Sequence, residues 1–363
     1  VGESFGSLKD QLKDMAIGLT AAVSVQGFIE GVKKVISQNA ALSDSYAGVM
    51  KTTGMTEVEV NSLNISLKKI NTRTAKSELL ELAKVAGKLG YSSRQDVEGF
   101  VRAADKVGVA LGEDLGGTEE AVNSLGKLLD IFKLKDEFGI EDGLIRVGSA
   151  INDLGASGTA NEANLVDFSN RLAGIAPAAS ISLQNVLGLG ATMDELGQSM
   201  ESSSTAIGQF IVGMGNDIPK FAKIAKMEVV EFTTLLKKDA NEAFIRVLEG
   251  SKTAGGGLAA LAANMAEMEV SGARGIAALG ALAENTDLLR KRQSESNKSF
   301  AEGTSVVKEF DTANNTLAAN LDKLGNFISN MWENGSFREW LTKVTAKMVD
   351  FRTGVEQVTD AYY

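Results

Sequence analysis

The sequence contains no cysteine and no histidine, and only two prolines, Pro177 and Pro219. Without cysteine, disulfides, thiolate metal sites and cysteine nucleophiles are excluded. Without histidine, most zinc sites, Ser-His-Asp triads and the usual general base near pH 7 are excluded too. Only carboxylate, Lys, Ser, Thr or Tyr chemistry stays open. At a usual frequency of roughly 5%, a chain of this length would hold about 18 prolines. Helix interiors reject proline, which lacks the N–H and clashes with the preceding turn, so its scarcity predicts a mostly helical chain. Aromatics are 6% and scattered, which speaks against the aromatic-lined groove of a sugar-cleaving enzyme. Positive charge is short as well. There are 37 Lys and Arg against 47 Asp and Glu, a net charge of −10, and such a balance disfavours a nucleic-acid backbone as partner. The opening VGESFGSLKDQLKD has no basic start followed by an apolar run, so no signal peptide is expected. The chain opens on Val and stops on AYY, and is expected to be a piece of a longer protein.

What is present is 363 residues, 44% of them hydrophobic, enough for one large core or two. Phe5, Leu8, Leu12, Met15, Leu19 and Ala22 recur at spacings of three and four, and Val25, Ile29, Val32 and Ile36 continue the stripe. This predicts an N-terminal amphipathic helix over 1–39. From 40 to 289 short helical patterns alternate with turns rich in Gly, Ser and Asn. Thr56 with Glu59, and Thr159 with Glu162, have capping-box spacing. Asp217 precedes Ile218-Pro219, a helix start. Gly90, Gly112, Gly116-Gly117, Gly155 and Gly250 are expected helix stops. Strand alternation is nearly absent. The fold class predicted is all-α: many short packed helices in hairpin units, with longer, partly coiled-coil-like helices at both ends.

Two segments 89 residues apart resemble each other, SSRQDVEGFVRAADKVGVAL at 92–111 and ISLQNVLGLGATMDELGQSM at 181–200. Ser93, Gln95, Val97, Gly99, Asp105 and Gly108 match Ser182, Gln184, Val186, Gly188, Asp194 and Gly197. An Ala-rich helix precedes each copy, so the unit reads as helix, Ser-capped turn, helix. Gly99 and Gly188 fall inside helices, where glycine costs about 1 kcal/mol against alanine. Close helix–helix approach is the expected return.

The region 290–363 reads as long heptad-patterned helices interrupted near 334–336. Val307, Phe310, Asn314, Leu317, Leu321, Leu324, Ile328 and Met331 form a seam at alternating spacings of three and four, with Asn314 its polar member. They are candidates for an oligomerisation seam, because a polar seam residue can set register. Packing back on the same chain is the other reading. A second seam runs through Leu341, Val344, Met348, Phe351, Val355 and Val358, and Trp332 and Trp340 flank the break.

The longest uncharged run is the 22 residues from Leu172 to Met193, long enough to span a bilayer. Leu172, Ile175, Ile181, Leu183, Val186, Leu187 and Leu189 make it a possible membrane-active segment. Pro177, Ser180, Ser182, Gln184 and Asn185 favour a buried helical hairpin instead. Glu119-Glu120, and Glu267 with Glu269, are paired carboxylates, but such pairs on an acidic helical chain are usually solvated or oppose a helix dipole. Gly255-Gly256-Gly257 lacks the strand and the Gly-Lys-Ser/Thr ending of a phosphate loop and reads as a hinge. Met265 and Met268 read as core filler. No catalytic, cofactor or metal site is assigned, and no enzyme activity is expected.

The stretch NTRTAKSELLELAKVAGKLGYSSRQDVEGFVRAADKVGVALGEDLGGTEEAVNSLGKLLDIF resembles the core region of phage tail tape measure proteins. The shared features are a Thr-rich turn at Thr72 and Thr74, an Ala/Leu helix with Leu82, Ala83, Ala86 and Gly87, a Ser turn at Ser92-Ser93, a further helix with Ala103-Ala104, and an acidic-Ala element at Glu119, Glu120 and Ala121. LAGIAPAASISLQNVLGLGATMDELGQSMESSSTAIGQF is a second resembling block. AKMEVVEFTTLLKKDANEAFIRVLEG with the later Gly272, Arg274 and Gly275 is a third. The order of these soft motifs across about 40–335 is the specific part. The second block departs from the family pattern at 202–206, where Ser-Ser-Ser-Thr-Ala stands in place of Ala-Gly-Thr.

The resemblance implies a structural protein of the virion tail, present in the host cytoplasm during assembly. It would set tail length, template tail tube assembly and leave during genome ejection. Implied partners are the tail tube protein, tail assembly chaperones, tail tip or baseplate proteins and further copies of the chain in the tail lumen, with the host membrane during ejection. It implies no cofactor and no specific nucleic-acid binding. The alternative class is an α-helical membrane-active, pore-forming or translocation protein, motivated by the 172–193 run.

Overall fold

The computed structural model describes residues 42–252 and 273–332, and among them every regular element is an α-helix. In chain order these are α1 (Leu42–Thr53), α2 (Glu57–Leu67), α3 (Lys76–Lys88), α4 (Arg94–Leu111), α5 (Thr118–Ile131), α6 (Leu134–Phe138), α7 (Ile140–Ser157), α8 (Glu162–Leu172) and α9 (Leu183–Glu195). They continue with α10 (Met200–Asn216), α11 (Ile218–Ile224), α12 (Val229–Lys238), α13 (Ala240–Lys252), α14 (Ala273–Glu284), α15 (Thr286–Glu302), α16 (Ser305–Asn314) and α17 (Leu317–Trp332). The stripe at 5–36, the Gly255–Gly257 hinge, Glu267 and Glu269, Met265 and Met268, Gly272 and the second seam from Leu341 to Val358 lie outside the described residues.

The helices build two apolar cores. The first gathers α1 to α7, with Val97, Phe100, Val101, Leu125, Leu144 and Ile151 at its centre. The second gathers α10 to α14, with Phe210, Phe221, Phe232, Phe244 and Leu279. Three helices serve both. From α8, Leu165 and Val166 join the first core, and Phe168 and Leu172 the second. From α9, Leu183, Leu187 and Ala191 face one way and Val186, Leu189 and Met193 the other. From α15, Leu289 enters the second core and Phe300 the first. A helix apolar on all sides must be buried on all sides, and α9 is such a helix. The expected division at 289–290 thus falls inside α15.

Local signals explain most helix ends. Thr56 and Glu59 form a full capping box on α2. Asp217 caps α11, with proline in its first turn. Three expectations need correction. The cap of α8 is Asn161, whose side chain accepts the N–H of Asn164, and not Thr159. Gly155 and Gly250 are not stops but lie within α7 and α13. At Gly250 a Cβ would stand 2.0 Å from the carbonyl oxygen of Ile224, so glycine is there to let two backbones meet.

Candidate functional site

The 89-residue similarity corresponds to two hairpin units, α3–α4 and α8–α9. In each a serine caps the second helix: Ser93 accepts the N–H of Asp96 at 3.1 Å, and Ser182 that of Asn185 at 3.3 Å. A wide backbone bond around a left-handed residue precedes each second helix, at the end of α3 in the first unit and in the turns that follow α8 in the second. Tyr91 N–H donates to Ala86 across Gly90 (φ +86°), and Ile181 N–H donates to Ala176 across Ser180 (φ +57°). This closure satisfies carbonyls that a helix end leaves open.

The matched aspartates do the same job in both units. Each reaches back 33 residues to the turn that starts its own hairpin. Asp105 Oδ1 accepts from Thr72 Oγ1 at 3.0 Å, and Thr72 Oγ1 in turn accepts the N–H of Thr74. Asp194 accepts the N–H of Asn161 at 2.7 Å and Nδ2 of Asn164 at 2.8 Å. Asp105 is buried, with Oδ2 unpartnered among the described residues. Burial pushes its carboxyl up to about 6. Sequence reasoning matched Asp105 to Asp194 but missed these clamps.

The second unit is crossed by α15, TDLLRKRQSESNKSFAE, which is polar in composition yet buried at Arg292, Gln293, Ser296 and Ser299. Gly188 permits the crossing: a Cβ there would lie 2.6 Å from the backbone N and Cα of Gln293. Arg292 Nη2 pairs with Glu195 Oε1 at 2.8 Å, and Nη1 with Glu295 at 2.6 Å and Ser157 Oγ at 3.0 Å. Gln293 and Asn241 exchange side-chain amide bonds at 2.8 and 2.9 Å. Ser299 donates to the carbonyl of Ser149 and to the Asp153 carboxylate. Nearby, Arg290 bridges Glu242 and Glu249, and its hydrogen bonds hold the Glu242 carboxyl below the usual range. Buried polar groups are mostly partnered, and of Arg292, Gln293, Ser296 and Ser299 on α15 only Ser296 lacks a hydrogen bond among the described residues. Gly99 differs from its counterpart: a Cβ there would be 3.6 Å from Glu141, an ordinary contact, so the expected close approach does not occur in the first unit.

The seam candidates separate. Phe310 and Asn314 are buried and Val307 packs against the first core. Asn314 accepts the N–H of Arg73 at 2.8 Å and donates to the carbonyl of Asn71 at 2.9 Å, so it is engaged within the chain. The heptad is not one continuous helix, because α16 ends at Asn314 and α17 starts at Leu317. Leu317 and Leu321 are exposed and Leu324 is half-buried. Ile328 and Met331 lie on the α17 backbone, beyond the described side chains. In the 172–193 run, Leu172, Ile181, Leu183, Val186, Leu187 and Leu189 are buried in the two cores, and Ile175 packs against the second. Among the described residues no helix is long and apolar enough to cross a membrane. Among the same residues no three Asp or Glu side chains gather to hold a metal ion.

The geometry is one of interlocked helices. No curated protein and no solved structure matches the chain. A family model described as phage-related minor tail protein matches residues 59–255, just over half of the chain and both hairpin units. The chain belongs to the phage-related minor tail protein family.

Proposed function

We propose that this tail protein is the compact helical core region of a tape measure protein, which sets tail length, templates tube assembly and is released during genome ejection. The observation carrying this reading is the family match over 59–255, laid on a fold of packed helices without strands among the described residues. A helix advances about 1.5 Å per residue, so a helical chain can serve as a ruler. The interlocked cores are too folded for that task, so the ruler segments lie mainly outside 42–332. The tail tube protein, assembly chaperones and tail tip or baseplate proteins are the partners this role calls for. Self-association in the lumen would use the exposed Leu317 and Leu321. Membrane action by 172–193 would require the two cores to come apart, because its apolar side chains lie inside them.

The test is tail length. In-frame deletions in the helical stretches of the parent gene should shorten tails by about 1.5 Å per residue removed, seen by electron microscopy of the particles. Tails of unchanged length would end the ruler reading.

A further inference from the structure

Helix α17 is attached to the molecule differently from the helices before it. Leu317, Leu321 and Phe327 are 71, 42 and 42% exposed, and Ala319 is the one buried side chain among positions 317–327. Over 317–327 the hydrogen bonds and ion pair that hold it to the core are the following. Asn326 Nδ2 sits 2.9, 3.2 and 3.5 Å from the carbonyl oxygens of Thr74, Arg73 and Thr72. Asp322 Oδ2 accepts from Arg73 Nη2 at 2.9 Å. These partners all belong to the turn that Asp105 clamps from beneath. Water can serve the same carbonyls and charges, so losing these contacts strands no buried group.

The preceding helix is fixed by other means. α16 places Val306 in the first core, buries Phe310 as well, and locks Asn314 on the same turn. Asn315 and Thr316 separate the two helices, and Thr316 Oγ1 caps α17 independently by accepting the N–H of Ala319 at 3.1 Å. The chain is therefore anchored up to Asn314, and α17 has a start of its own.

We propose that α17 is a releasable strap, latched on the 72–74 turn by Asn326 and Asp322, that leaves the core while everything up to Asn314 stays folded. Release converts a docked helix of 16 residues, about 24 Å long, into a projecting arm. It also bares Leu324 beside Leu317 and Leu321 on one helix face. Such release does not depend on the tail-length reading.

Hydrogen exchange followed by mass spectrometry on the full chain tests it. An undocked helix of this length is marginal in water, so its amides exchange quickly once released. Peptides from 317–327 should exchange faster than those from α4. In the N326A/D322A variant they should exchange about 10-fold faster again, a latch loss of about 1.4 kcal/mol, with α4 and α7 unchanged. Protection of 317–327 equal to that of α4, or exchange raised in α4 and α7 together with α17, would overturn the strap. Should the double variant fail to fold, D322A alone removes only an exposed ion pair. Acceleration confined to 317–327 would then support the latch, and unchanged exchange there would overturn it.

Discussion

In the first hairpin unit Gly99 looks onto Glu141 with room for a methyl group, while in the second Gly188 is pressed against the backbone of Gln293. The units share their serine caps, their left-handed closures and an aspartate clamped 33 residues back. They differ in what lies on top. The first carries α17 by polar contacts to its opening turn, and the second carries α15 through a buried backbone crossing and an Arg292–Glu195 pair. One supersecondary plan thus serves once as a landing surface and once as the middle of the molecule. The surroundings decide which, since both units carry glycine at the matched position and only Gly188 has another backbone against it.

Removing the arginine should break the second unit most severely. Arg292→Ala leaves Glu195 charged and enclosed, and should cost about 3–5 kcal/mol in urea unfolding. Replacing both partners, as in Arg292→Met with Glu195→Leu, should restore most of that. A loss below about 1 kcal/mol in the single variant would show that water reaches the pair.

The two aspartates should respond in opposite directions to replacement by asparagine. Asp105 titrates near 6 when folded, against 3.8 as its ordinary value, because burial disfavours the charge. Between these values the folded protein holds a proton the unfolded chain has released. The stability Asp105 contributes is therefore present in full below about pH 4, falls as pH rises to 6 and is flat above. Asp105→Asn should remove that slope and stabilise the protein at pH 7 by up to about 3 kcal/mol. Asp194→Asn should instead cost about 1 kcal/mol, since the Asn161 N–H loses a charged acceptor. Thermal melts from pH 4 to 8 would read both, and equal responses would erase the contrast.

The glycines give the direct comparison. Gly188→Ala forces backbone apart and should destabilise by about 2 kcal/mol. Gly99→Ala meets only ordinary contact and should stabilise by up to about 1 kcal/mol through helix propensity. Unfolding midpoints that move together would refute the assigned crossing. The smallest effect belongs to the landing surface. Asp322→Ala should change global stability by less than about 0.5 kcal/mol, since the ion pair is exposed. A larger loss would mean that α17 is part of the cooperative core.

Sequence and structure part company according to distance along the chain. The capping box at Thr56 and Glu59, the Ser93 and Ser182 caps and the proline at the start of α11 were legible, because each depends on residues within four positions. Gly155 and Gly250 misled, because glycine serves both to stop a helix and to admit a neighbour, and only the neighbour tells them apart. The seam from Val307 to Met331 kept its spacing across a helix end at Asn314, since spacing records a face and not continuity. Asn314, a seam residue open to pairing between chains or to packing on its own chain, bonds Asn71 and Arg73 more than 240 positions away.

By itself the sequence determined the all-helical class, the existence of two similar hairpins and the absence of cysteine and histidine chemistry. Those come from composition, periodicity and local hydrogen bonding, which a few neighbouring residues control. Only the tertiary structure decided that a polar helix, α15, would be threaded between two cores and that an apolar one, α17, would rest on the surface. Burial of a polar side chain depends on partners brought from far along the chain, such as Glu195 and Ser157 for Arg292. No local pattern encodes where those partners will be.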